Sequence, residues 1–331
     1  MDLDAFVATH QSTWEELDYL SRQHSLTAAE ADRLVKLYQQ TATHLSTLRS
    51  QAPDPTLVMS LSSIVARSRR RLGTSSESFF ASIKYFFVSS FPAELYLMRK
   101  WWLGTMAVSY LFAFIVALWI YFHPELHDLI GSPAQIKQLV NHDFEAYYSE
   151  YAHSHFAASV WVNNAWVSAQ AIVFGVSGVH VVYVLFNNML SLGVNAALMT
   201  YYGKGTLFWG LILPHGLLEL TAVFVACGAG FRLFWSWVSP GPMRPFENFA
   251  RVGRSVMTIV LGLIAVLAVA GFIEGFVTPS GLPTFVRVGI GVLALTGFLL
   301  YSLVLGRQQA LAGADGDVLD WQKAEQSIAV E

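Results

Sequence analysis

The chain has 331 residues, of which 54% are hydrophobic and only 13% charged, with mean hydropathy +0.46. Soluble domains carry roughly 25% charged residues, so this composition excludes an ordinary soluble globule and points to segments buried in a bilayer. The net charge of −3 decides little; where the charges fall along the chain decides more.

Residues 1–95 read as a helical domain on the cytoplasmic side, with no signal-peptide core: the acids Asp2 and Asp4 follow the initiator at once. Phe6, Trp14, Leu17 and Leu20 keep helical spacing over about 3–22. Thr27-Ala28-Ala29-Glu30 is a capping box that opens a second helix, with Leu34, Leu37, Tyr38, Leu45 and Leu48 on one face. Pro53 closes it. Asp54-Pro55 then caps a third helix, which ends in Arg67, Arg69, Arg70 and Arg71. Those arginines are either a solvated edge of the bundle or a contact for anionic lipid headgroups. One short basic run without a binding module points to no nucleic-acid partner. Thr74-Ser75-Ser76-Glu77 is a second capping box, and Phe79, Phe80, Ile83, Phe86 and Phe87 give the next helix an apolar face suited to the membrane surface.

Residues 96–306 hold apolar runs at about 102–122, 160–177, 179–202, 207–231, 254–277 and 285–305. Each is near the ~20 residues a membrane-crossing helix needs. The run at 160–177 is the shortest and most polar, and a re-entrant segment is its alternative reading. Arg99 and Lys100 place the start of the first span in the cytoplasm, and Arg232, Arg244, Arg251 and Arg254 fall between the fourth and fifth runs. Six spans with both termini cytoplasmic leaves only Lys137, Lys204 and Arg287 of the 20 basic residues outside.

The external connection 123–159 is acidic. Ser132-Pro133-Ala134-Gln135 caps an expected amphipathic helix carrying Ile136, Leu139, Val140, Phe144, Tyr147 and Tyr151, lying on the outer surface. His123, His127, His142, His153 and His155 are scattered through it, which argues against a shared metal ion. The tail, 307–331, is polar and acidic and reads as disordered. Cys227 sits in an apolar run as a small filler, and a lone cysteine allows no intramolecular disulfide.

The membrane runs carry polar residues at costly depth. Asn187, Ser191 and Asn195 share one face of the third span, with Asn188 beside them. His215 and Glu219, four residues apart, share a face of the fourth, after a kinking Pro214. Counting from Leu207 puts Glu219 roughly 18 Å in, near the midplane. Asn163 and Asn164 lie near the outer end of the second span. Glu274 and Arg287, both near the outer surface, are positioned to pair with each other. His-x-x-x-Glu offers two ligands, one short of a catalytic zinc site, so neither metal nor cofactor is expected. The ordinary reading of this constellation is inter-helix hydrogen bonding; the alternative is a pathway for a solute, ion or lipid. No HExxH, serine elbow or phosphate-cradling loop is present.

In order along the chain, Asn163-Asn164, Phe186-Asn187-Asn188-Met189-Leu190-Ser191-Leu192-Gly193, Pro214-His215-Gly216-Leu217-Leu218-Glu219-Leu220, Gly228-Ala229-Gly230 and Ile273-Glu274-Gly275-Phe276 resemble the stage II sporulation protein M family. Trp14-Glu15-Glu16-Leu17, Leu37-Tyr38 and Pro53-Asp54-Pro55 resemble its longer form. The resemblance implies a scaffold of the bacterial cytoplasmic (inner) membrane that works with peptidoglycan-remodelling partners, and it supplies no catalytic residues. The expectation is therefore an all-α polytopic bundle of about six transmembrane helices behind a small helical domain. It would be a non-catalytic assembly component whose partners are membrane lipids, other envelope or membrane proteins, or further copies of itself. A transporter, channel or lipid-moving protein is the alternative.

Overall fold

In the computed structural model, which describes residues 3–23, 26–51, 54–73, 79–146 and 153–316, every regular element is helical. The chain divides into two units, Met1–Ile83 and Lys84–Glu331.

The first unit packs α1 (Leu3–Arg22), α2 (Ala28–Gln51) and α3 (Pro55–Gly73) against one another. Its core is the apolar stripe of the sequence: Trp14, Leu17, Leu20, Leu34, Leu37, Leu45, Leu48 and Leu61 are buried. The caps form as their residues dictate. The backbone N–H of Thr27 donates to Glu30 Oε2 at 2.8 Å, that of Glu30 donates to Thr27 Oγ1 at 3.4 Å, and that of Leu57 donates to Asp54 Oδ1 at 2.9 Å. Of the four arginines expected at headgroups, Arg67 is engaged inside the unit, where it pairs with Asp18 of α1. Arg69 and Arg70 are exposed, and Arg71 is half-buried. The capping box at 74–77 lies outside the described residues.

The boundary differs from the one expected at 95. After α4 (Phe79–Tyr85) a π-helical turn, Phe86–Ser90, leads into α5 (Phe91–Leu97). Phe91, Leu95 and Met98 are buried in the core of the second unit, so the chain from 84 onward belongs there.

Among the described residues of the second unit, five helices are long and apolar enough to cross a membrane: α6 (Arg99–Phe122), α11 (Val179–Tyr201), α12 (Gly205–Val238), α13 with its terminal π turn (Pro245–Val277), and α14 with its continuation (Thr284–Leu311). The connection after α6 folds as α7 (His127–Ile130), α8 (Pro133–Gln138), a π turn at Leu139–Asp143, and α9 (Phe144–Ala146). Its apolar face meets protein: Ile136 and Val140 are buried with Ala196, Leu198, Met199 and Phe208 at the end of α11 and the start of α12. Tyr147 and Tyr151 lie outside the described residues.

A sixth helix, α10 (His153–Val173), is more polar but runs to the same depth. Helices α6 and α11 are parallel, because Gly193 meets the Ala113 carbonyl and Tyr201 meets Tyr121. Hence α11 begins at the Arg99 end. A 3₁₀ turn, Phe174–Ser177, and Gly178 at φ 69° join α10 to α11, so α10 finishes at that end too. There Gly175 abuts Gly230, where an added Cβ would stand 2.6 Å from the Gly230 Cα; at the other end Val160 packs on Leu211. From Leu211 to Gly230 is about 28 Å of helix at 1.5 Å per residue. The helix thus runs through the bundle and does not turn back within it.

Helix α12 is the common neighbour, in contact with α6, α10, α11, α13 and α14. Small residues allow this: a Cβ on Gly228 would stand 2.8 Å from the backbone of Trp102, and one on Gly230 would overlap the Ala171 carbonyl. The start of the expected tail is ordered. α15 (Gly306–Leu311) continues the last span, and Gly316 is buried, its carbonyl accepting from Thr258 Oγ1 at 2.7 Å. Residues 317–331 lie outside the described residues.

Two outcomes are expected. Gly230→Leu forces a side chain into backbone and should lower stability by at least the ~1–3 kcal/mol typical of overpacking, read as a fall in the thermal midpoint of the detergent-solubilised protein. In the first unit, Trp14 Nε1 donates to His44 Nδ1 at 3.1 Å, and burial, helped by the neighbouring His10, lowers the His44 pKa from its ordinary 6.5. The unfolded state therefore takes up a proton first, so stability is held at neutral pH. It is lost as the pH falls through 6.5 toward the lowered folded value. The protection factors of amides in residues 3–73, taken against intrinsic exchange at each pH, should be lower at pH 5.5 than at 7.5, and His44→Gln should flatten that dependence.

Candidate functional site

His215 and Glu219 face the same way from α12, as residues four apart on a helix must. Glu274 comes to them from the π turn Ile273–Val277 that ends the α13 span. One extra residue in such a turn re-aims side chains, and these turns recur at functional sites. One ligand-type atom from each of the three residues lies within 4.8 Å of the others. Nε2 of His215 is 3.7 Å from Glu274 Oε1, and the Glu219 and Glu274 carboxyl groups are within hydrogen-bonding reach of each other. His215 and Glu274 are 4% and 3% exposed, and Glu219 is half-buried.

The hydrogen bonds around the imidazole fix its orientation. Thr278 Oγ1 lies 3.3 Å from the Ile273 carbonyl oxygen and 3.1 Å from Nδ1 of His215. Nδ1 is thus engaged by Thr278, and Nε2 is the ring nitrogen on the side of Glu274. Oε2 of Glu219 and Oε2 of Glu274 are both buried without a hydrogen-bond partner. The cluster is therefore rich in acceptors. It can hold protons or a cation, and on three ligands it has the donor set of an open metal site.

A family model for Stage II sporulation protein M matches residues 106–279, more than half of the chain and a stretch that contains all three cluster residues. The chain belongs to the Stage II sporulation protein M family. A second model, a domain of unknown function (DUF8413), matches residues 4–73, the three-helix unit. No curated protein and no solved structure matches the chain.

The other polar residues of this family member do not gather at the cluster. Nδ2 of Asn187, Asn188 and Asn195 each donates 2.8 Å to the carbonyl four residues back in α11, at Tyr183, Val184 and Ser191. Asn187 and Ser191 are exposed on the flank of the bundle, while Asn163 is exposed and Asn164 half-buried on α10. The expected pair of Glu274 with Arg287 does not form. Arg287 donates to the Thr278 carbonyl and, at 3.1 Å, to Thr284 Oγ1, while Glu274 turns inward to His215. Glu274 is three residues from Val277, about 5 Å along the helix, while Glu219 is 14 residues from Gly205, roughly 21 Å along α12, so the cluster joins the middle of α12 to the end of the α13 span. The described histidines of the connection after α6 remain dispersed: His123 and His127 contact the carbonyls of Trp119 and Ile120, and His142 contacts Asp143.

Sequence reasoning missed Thr278, whose only signal is its closeness to Glu274. Because the α11 asparagines bond within their own helix, Asn187→Ala and Asn195→Ala should each change the stability of the isolated chain by no more than ~0.5 kcal/mol. Thermal unfolding in detergent reads this directly.

Proposed function

We propose that the protein is a non-catalytic assembly component of an envelope-associated complex in the bacterial inner membrane, with both termini cytoplasmic. The observation that carries this reading is the flank of α11. Asn187 and Ser191 are exposed there on a membrane-crossing helix, beside exposed Tyr183 and Phe186. Lipid offers such polar groups nothing, whereas a neighbouring transmembrane helix, from a partner or a second copy, offers hydrogen bonds. The three-helix unit, with its own core, supplies a separate surface for soluble partners. The orientation follows from charge: Arg99, Lys100, Arg232, Arg244, Arg251, Arg254 and Arg307 gather at one end of the bundle, against Lys137, Lys204 and Arg287 at the other.

A second reading, a conduction or lipid-moving pathway, is favoured by one observation, the partnerless buried carboxylate oxygens of Glu219 and Glu274. Purification from cells in mild detergent, with co-purified proteins identified by mass spectrometry, separates the two. On the assembly reading, Asn187→Leu with Ser191→Leu, or deletion of residues 1–83, strips partners from a chain that still folds, and Glu219→Gln leaves them in place. Partners indifferent to both changes, together with vesicle flux abolished by Glu219→Gln, would move the assignment to a pathway.

A further inference from the structure

We propose that His215, Glu219 and Glu274 bind one divalent cation of the zinc class, a site that ties α12 to the end of α13 within the membrane. Binding at this cluster does not depend on the assembly role. The first support is the grouping. Nε2 of His215 stands 3.7 Å from a Glu274 carboxyl oxygen, and one ligand-type atom from each of the three residues lies within 4.8 Å of the others. The second is the pair of buried carboxylate oxygens with no partner, one of them on Glu274, which is 3% exposed. Two carboxyl groups this deeply buried are costly to ionise without a compensating charge. A divalent ion offsets both carboxylate charges and takes up the orphaned oxygens together.

The geometry is near what such an ion requires. Zinc–nitrogen and zinc–oxygen bonds are about 2.1 Å, so two ligands on a tetrahedral ion stand roughly 3.4 Å apart. The His215–Glu274 separation of 3.7 Å is within a few tenths of that, and the rest of the set lies within 4.8 Å, which small side-chain rotations can close. Imidazole with two carboxylates favours Zn²⁺, Mn²⁺ or Fe²⁺ over Mg²⁺ or Ca²⁺, which prefer all-oxygen shells. Thr278 acts as the outer support: its Oγ1 engages Nδ1 at 3.1 Å and so holds the ring with Nε2 inward, as outer-shell partners of ligating histidines do. Three protein ligands leave a fourth position for water or for a donor from a partner protein.

The test uses the full chain in mild detergent. Metal content is measured by elemental analysis as purified, then by Zn²⁺ titration after chelation, with Co²⁺ absorption as the spectroscopic readout. The expected result is one Zn²⁺ per chain and a ligand-field Co²⁺ spectrum. Glu274→Gln and His215→Ala should weaken binding at least a hundredfold, and Thr278→Val by about 10- to 100-fold, as loss of an outer-shell partner does. Where a ligand variant fails to fold, Glu274→Asp and the wild-type chelation curve carry the decision. A wild-type chain that takes up no stoichiometric metal, or one whose uptake is unchanged by both Glu274→Asp and Thr278→Val, would overturn the site in favour of a carboxyl pair neutralised by protons alone.

Discussion

Everything in the membrane unit depends on how closely α12 is approached. A helix with five neighbours cannot carry full side chains on every side, and α12 meets the demand with glycine and alanine where backbones nearly touch. Gly228 lies on Trp102 of α6 and Gly230 on Ala171 of α10. From the other direction, Gly291 of α14 lies against the carbonyls of Leu213 and Pro214. Lipid tails are as apolar as leucine, so no hydrophobic gain draws these helices together, and close packing must supply the attraction. Pro214 takes part in this: it withholds a backbone donor from its own helix, and its carbonyl is one of those that Gly291 approaches.

That close packing also explains what could and could not be read from the chain. The spans were legible because an apolar run of about 20 residues has few other uses, and observed helices such as Val179–Tyr201 match the runs closely. Helix α10 was the difficult one. Asn163, Asn164, Ser168 and Gln170 lower its apolarity, and its depth is set by Val160 on Leu211 and Gly175 on Gly230, contacts no local pattern announces. The apolar positions of the connection after α6 were legible, but not what covers them, since Ile136 and Val140 fit lipid or protein equally well.

At the site, the pair His215–Glu219 was legible from spacing alone, while its third member was not. Glu274 is 13 residues from Arg287 and 55 from Glu219, so sequence distance favoured the wrong partner. What reverses the choice is the π turn at Ile273–Val277, which turns Glu274 toward α12, and the Thr278 carbonyl, which engages Arg287. The asparagines misled in the opposite sense. Polar residues at helical spacing suggest a shared polar centre, yet a side-chain amide can satisfy itself on its own helix, as Asn187, Asn188 and Asn195 do.

Helix α12 meets buried charge in two different ways. At the Arg99 end, Glu94 is 1% exposed and is met by Arg232 of α12 in an ion pair, so the carboxylate is compensated by protein. Farther back along α12 the chain places two carboxyl groups beside an imidazole, and Arg287 is engaged with Thr278 and Thr284 and not with them. Protons or a metal ion can compensate the carboxylates there. The packing of that cluster then answers to the medium: a ligand that binds only the folded arrangement stabilises it by mass action. Since α12 contacts α6, α10, α11, α13 and α14, a constraint placed on it at His215 and Glu219 acts on the core around which the other spans are packed, and through α11 on the flank that carries Asn187 and Ser191.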